Sequence, residues 1–133
     1  MTPIRIERRL SHPIERVWRA VTEPAEMARW FVVEDIPWTP REGEEFEAGG
    51  QPGRITELRP PHRFAWEWSV ESYAFELAVD GDGTLLVFTH VFNPEHGPQE
   101  QHERGWGIYL ARLDAHLDGG FLSEEDAHRQ ADG

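Results

Sequence analysis

His90 stands in the run Phe88-Thr89-His90-Val91-Phe92, where a lone imidazole among rings could exchange one hydrogen bond with a ligand carbonyl or hydroxyl. The competing reading is a core histidine whose nitrogens are satisfied by the protein itself. A carboxyl within reach would make the imidazole half of an acid and base pair, the least machinery for a cyclisation or a hydration. Glu57 is the candidate carboxyl, provided its strand turns it inward, and the Tyr109 phenol is a third polar group that could meet a ligand.

His90, His96 and His102 lie close in sequence with Glu95, Glu100 and Glu103 between them, but their spacing matches neither a helical i, i+4 pair nor an HExxH motif. His96 follows an Asn93-Pro94 turn, so solvated loop residues are the better account, and neither a metal nor another cofactor is expected. Ser11, Ser69, Ser72 and Ser123 lack a nucleophile-elbow context and fit caps, turns and strand ends. Gly43, Gly49, Gly50 and Gly53 fall between strands rather than at the start of a helix, so they form no phosphate-cradling loop. No catalytic residue emerges from the spacing alone.

Composition narrows the classes further. With 133 residues the chain fits one domain that removes roughly two-thirds of its unfolded surface from water. A formal charge of −12 opposes binding to nucleic acid or to anionic membranes. There is no Cys, hence no disulfide or thiolate, and all 13 basic residues are Arg, which removes Schiff-base chemistry. No apolar run approaches the roughly 18 residues of a membrane span, and Met1 opens directly into a polar-alternating segment, so a cytoplasmic protein without a signal peptide is expected.

The elements that must position these groups are legible in order. Ile4, Ile6 and Leu10 alternate with Arg5, Glu7 and Arg9, predicting a strand over 2–10. Ser11 and Pro13 then open a short helix carrying Ile14, Val17, Trp18 and Val21 on one face, and Pro24 starts a second with Met27, Trp30 and Phe31. Residues 32–53 read as loop around one short strand at 44–48. A meander follows, with strands over 54–59, 63–69, 73–80 and 84–92. Residues 98–118 form a long helix with Trp106, Tyr109, Leu110, Leu113 and Leu117 on one stripe, and 119–133 is a polar, acidic tail expected to fray, with one turn capped by Ser123. The expected organisation is therefore a single domain over 1–118 followed by that tail.

Specific residues add to this order. Ser11-His12-Pro13-Ile14-Glu15-Arg16-Val17-Trp18, Ala28-Arg29-Trp30-Phe31, Gly53-Arg54-Ile55-Thr56-Glu57 with Pro60-Pro61, Asp82-Gly83-Thr84 leading to His90, and Gly105-Trp106 with Tyr109-Leu110 and Leu113 resemble the START-like (SRPBCC), Bet v 1-like helix-grip superfamily. The likeness is greatest to the branch named for homology to the activator of heat-shock-protein-90 ATPase, and it covers about 2–118. It implies an α+β fold in which a curved antiparallel sheet, with two short helices after its first strand, wraps a long C-terminal helix. It also implies a cavity between sheet and helix, often used for lipids, polyketides or other hydrophobic molecules.

On that reading Thr84, Leu86, Phe88, His90 and Phe92 face inward, and outward Leu85 and Val87 hint at a covered or homodimeric outer face. Phe64, Trp66 and Trp68, and Tyr73, Phe75, Leu77 and Val79, choose their faces by alternation with polar residues. The candidate ligand wall is Trp30, Phe46, Glu57, Trp66, Trp68, Phe75, Leu77, Phe88, His90, Trp106, Tyr109, Leu110 and Leu113. Two readings stand: these rings fill the core, or they line a site for a lipid-, polyketide- or isoprenoid-like ligand. A cyclase or hydratase using His90 with Glu57 is the enzymatic alternative. A heat-shock-protein-90-type chaperone partner is the least expected, since this sequence does not include the additional N-terminal domain of the full co-chaperone.

Overall fold

In a computed structural model the described residues are 2–31 and 35–132; residues 32–34, the start of the expected loop, lie outside them. The alternation at the start of the chain produces strand β1 (Thr2–Leu10), with Ile4 and Leu10 buried and Arg5, Glu7 and Arg9 exposed. Helix α1 (Ile14–Thr22) buries Ile14, Val17 and Val21, and Pro24 opens the one-turn α2 (Pro24–Met27). Strands β2 (Glu45–Ala48), β3 (Gln51–Arg59), β4 (Arg63–Trp68), β5 (Glu71–Asp80) and β6 (Gly83–Phe92) follow. Helices α3 (Gln99–Leu117) and α4 (Glu124–Asp132) close the chain.

The strands form one six-stranded curved sheet in the order β1-β6-β5-β4-β3-β2, antiparallel throughout. Strands β3 and β5 begin two or more residues earlier than alternation predicts, because the turns before them are tight. Gly49 and Gly50 both take positive φ (57° and 77°), the conformation of a two-residue hairpin turn, so Gln51 already pairs with Ala48. Likewise Trp68 pairs with Glu71 across Ser69-Val70, which carries β5 back to Glu71.

Inward residues of the sheet and one stripe of α3 build the core. Trp30, Phe64, Phe75, Leu86, Phe88 and Leu113 are completely buried there, each contributing roughly 1.5–3 kcal/mol over an exposed position. The even-numbered set on β6 faces this core, and Leu85 and Val87 lie half-buried on the outer face. Buried Thr84 donates to the His12 carbonyl at 2.7 Å, fastening β6 to the turn before α1.

The polar C-terminal stretch, expected to fray, is instead the docked helix α4. Ser123 caps it, accepting from the Asp126 N–H at 3.0 Å, and Ala127 is buried at 2% exposure. The physical reason lies on α3. Buried Arg112 needs acceptors, and finds them in the carbonyls of Leu122 at 2.9 Å and Phe31 at 3.2 Å, so the chain after α3 is held against the helix.

Candidate functional site

The aromatic alternation on β4, β5 and β6 places Trp66, Tyr73 and His90 directly across from one another. Their rings stack in a row, Trp66 to Tyr73 at 4.9 Å and Tyr73 to His90 at 4.4 Å between centroids. Beyond the His90 end of this row a cleft of about 490 Å³ opens between the strand ends, the β2–β3 hairpin and the first turns of α3. Trp68, Tyr73, Trp106 and Tyr109 supply its rings, and Glu71, His90, His96 and His102 supply its polar groups. The indole of Trp68 donates to the Ala48 carbonyl at 3.0 Å, which ties the hairpin wall in place.

A hydrogen-bonded chain runs through the cleft's floor. Trp106 Nε1–H donates to His90 Nδ1 at 3.1 Å, and His90 Nε2 meets Glu71 Oε1 at 2.7 Å. An indole nitrogen only donates, so His90 Nδ1 holds a lone pair and its proton resides on Nε2, directed at the carboxylate. Glu71 also accepts from the Tyr73 hydroxyl at 3.3 Å, the Asn93 N–H at 3.3 Å and His96 Nδ1. A carboxylate with only 6% of its residue exposed is thus fully surrounded by donors.

Each titration follows from this arrangement. Burial pushes Glu71 toward neutrality, but the hydrogen bonds from His90, His96 and Asn93 outweigh it and hold the carboxyl below its ordinary value. Burial lowers His90, against the opposing pull of Glu71, so the imidazole stays neutral. Tyr73 is raised by burial and by the adjacent Glu71 charge, and Tyr109 chiefly by burial. Among the described residues no group of three or more His, Asp or Glu has the arrangement of a metal site.

The expected site residues separate into three places. Trp68, His90, Trp106 and Tyr109 line the cleft, with Trp66 stacked behind it. Trp30, Phe75, Leu77, Phe88, Leu110 and Leu113 are packed in the core, and Phe46 packs on Trp38 at 5.1 Å. Glu57 lies apart from His90, bound by Arg63 at 2.6 Å and Arg59 at 3.4 Å, so the expected Glu57–His90 pair does not form. The cause is a β-bulge: Ile55 pairs with Trp66 but Glu57 pairs with Ala65, so one extra residue turns Glu57 to the opposite face.

Glu71, His96 and His102 also line the cleft, and none of them is among the expected ligand-wall residues. Glu71 was findable, since it shares the odd parity of inward Tyr73, Phe75 and Leu77 once the strand is extended by two residues. His96 is not the purely solvated loop residue expected, because it is bonded to Glu71 while half of its side chain stays exposed.

This sheet, gripping a terminal helix and opening at one end into a ring-lined cleft, defines a START-like helix-grip protein of the SRPBCC class. Within that class, the chain belongs to the family described as activator of Hsp90 ATPase homolog 1-like protein, whose sequence profile matches residues 11–118. Among solved structures it is similar to CalU16 from Micromonospora echinospora, with 28% identity and a TM-score of 0.77 over 98% of this chain and 82% of that one. CV1439 from Chromobacterium violaceum is 29% identical, with a TM-score of 0.69 over 86% of this chain and 96% of that chain. The Aha1 dimer from Colwellia psychrerythraea shares the fold, at 19% identity and a TM-score of 0.70 over 88% and 96% of the two chains. A search of curated proteins finds no match. No helix among the described residues is long and apolar enough to cross a membrane.

Proposed function

We propose that this protein binds a small hydrophobic, ring-containing ligand in the cleft between the sheet and α3. The observation that carries this reading is the cleft itself, about 490 Å³ in volume and walled by Trp68, Tyr73, Trp106 and Tyr109. That volume falls within the roughly 300–1,000 Å³ of small-molecule sites, and a few convergent polar groups at one end are what fixes a ligand's orientation. Aromatic faces favour flat partners, so polycyclic polyketide-like or cyclic isoprenoid-like molecules fit better than a straight acyl chain. The core beneath is filled by Phe75, Phe88 and Leu113, which confines the guest to the mouth.

NMR titration with a flavonoid, an anthraquinone and palmitate tests the reading. The two flat molecules are expected to shift the indole signals of Trp68 and Trp106 at micromolar concentrations, and palmitate to bind more weakly. Absence of shifts at millimolar flavonoid and anthraquinone would refute it.

A second reading concerns assembly. Leu85, Val87 and Ala78 join a shallow hollow of about 350 Å³ on the outer face of the sheet, bordered by Arg59, His62, Arg63 and Glu76, and the protein of like fold from Colwellia is a dimer. A homodimer through that face predicts a doubled mass in light scattering, reduced to a single chain's mass in Leu85→Arg.

A further inference from the structure

Glu71 carries two imidazoles, and they are not equivalent. His90 is occupied at both nitrogens, by Trp106 on one side and Glu71 on the other, so it has no lone pair to offer a guest. His96 uses only Nδ1, bonded to Glu71 Oε2. An ionised carboxylate can only accept, so Nδ1 carries the proton and Nε2 the lone pair. Among the described residues no protein group is bonded to that Nε2, and the side chain is 52% exposed in the wall of the aromatic cleft.

The backbone holds His96 where this can happen. It ends a one-turn 3-10 helix, Pro94–His96, whose start is capped by the Asn93 side chain accepting from the Glu95 N–H at 3.0 Å. The Asn93 N–H is itself anchored on Glu71 at 3.3 Å, so the carboxylate grips both the turn and the imidazole at its end. A buried carboxylate that orients an imidazole and stabilises the imidazolium formed on proton uptake is the arrangement by which histidine serves as a general base. His102 belongs to the same wall, its Nε2 buried without a partner among the described residues.

We infer that His96 is a general base, oriented by Glu71, that takes a proton from an acidic C–H or O–H of a flat ring-containing guest in the cleft. The inference rests on the ligand-binding reading above. In the step, the Nε2 lone pair forms an N–H bond and the C–H or O–H bond breaks. Its electron pair moves onto the guest's carbonyl or ring heteroatom, and the imidazolium returns the proton elsewhere on the guest or to water. No oxidant, reductant or second substrate is required, so the reactions within reach are tautomerisation, ring closure by enolate and ring-opening elimination. Glu71 acts here as a positioning residue.

The test uses 5-nitrobenzisoxazole, a flat bicycle whose five-membered ring opens when a base removes that ring's one C–H proton, breaking the N–O bond and releasing a coloured phenolate. Nitrogen-15 NMR should show His96 protonated at Nδ1, and the protein should open the bound probe faster than the same concentration of imidazole. His96→Gln should cost at least tenfold in the rate at saturating probe, and Glu71→Gln should lower that rate and mix the His96 tautomers. A bound probe, seen by shifts at the Trp68 and Trp106 indoles, that opens no faster than with imidazole overturns the inference and leaves the ligand reading intact. So does an unchanged rate in His96→Gln. A probe that fails to bind overturns the inference, while the ligand reading stands or falls with the flavonoid and anthraquinone titration.

Discussion

Trp106 and His90 are joined by a hydrogen bond of 3.1 Å from an indole N–H that can only donate to an imidazole nitrogen that must therefore accept. This contact and the Glu71 carboxylate, which can only accept, agree in placing the His90 proton on Nε2. Trp106→Phe keeps much of the ring volume but leaves His90 Nδ1 without a donor. Because an unsatisfied buried acceptor costs about 1–3 kcal/mol, the urea midpoint should fall accordingly, while NMR should still show the His90 proton on Nε2, facing Glu71. A variant with unchanged stability, or with the His90 proton on Nδ1, would contradict the assignment.

Acid should loosen the protein in two stages. His90 is held below its ordinary 6.5 in the folded state, so below that pH the unfolded chain binds more protons and stability is lost as pH falls toward the folded value. Glu71 is held below its ordinary 4.5, so its contribution is complete above that pH and is lost as pH falls through the lower folded value. Both effects have the same sign. Urea unfolding between pH 8 and pH 4 should therefore show stability declining from about pH 6.5 downward, and His90→Gln should flatten the upper part of that slope. A wild-type profile flat from pH 7 to pH 5 would refute the burial of neutral His90.

The elements were more legible than the site, and the reasons are local. Alternation at Ile4, Ile6 and Leu10 and the stripe Trp106, Leu110, Leu113, Leu117 follow from burying one face of a strand or helix, and both elements form where they are predicted. The bulge at Thr56 left no such trace: an inserted residue reverses parity without altering composition, and this sent Glu57 to the wrong face. Glu71 escaped notice for another reason. It stands at the strand's first inward position, two residues before the aromatic alternation begins, and its inward carboxylate makes sense only when His90, His96 and Asn93 have converged on it from elements distant in sequence.

Gly53 is expected to tolerate no side chain while Phe46 keeps its position. A Cβ there would stand 2.2 Å from the Phe46 ring, which crosses Gly53 on the paired strand and packs on Trp38. Gly53→Ala must push that ring aside, at a cost of about 1–3 kcal/mol by thermal or urea unfolding. In Phe46→Leu the added methyl should cost distinctly less, giving a non-additive double-mutant cycle. Equal costs in both backgrounds would show that the ring is not the obstacle.

Helix α4 should prove a stabilising cover for α3. Its composition is too polar to bury a face of its own, and the apolar contact it makes is centred on Ala127. What holds the returning chain is Arg112, whose Nε donates to the Leu122 carbonyl while Nη1 reaches Phe31, and whose guanidinium lies 5.7 Å from the centre of the Phe121 ring. Ending the chain after Asp118 would remove the carbonyl and the ring together and uncover Ile108 beside Ala127. The truncated protein should still fold, since the sheet, α1 and the inward stripe of α3 are untouched, but at about 2–4 kcal/mol lower stability, the scale of a buried charge losing an acceptor plus a newly exposed side chain. Arg112→Met in the full chain should recover part of the packing without the bonds, and so weaken the docking of α4 selectively, visible as faster amide exchange over 124–132 than over α3. Equal protection of the two helices in that variant would mean that apolar contact at Ala127, rather than Arg112, fastens the C-terminal helix.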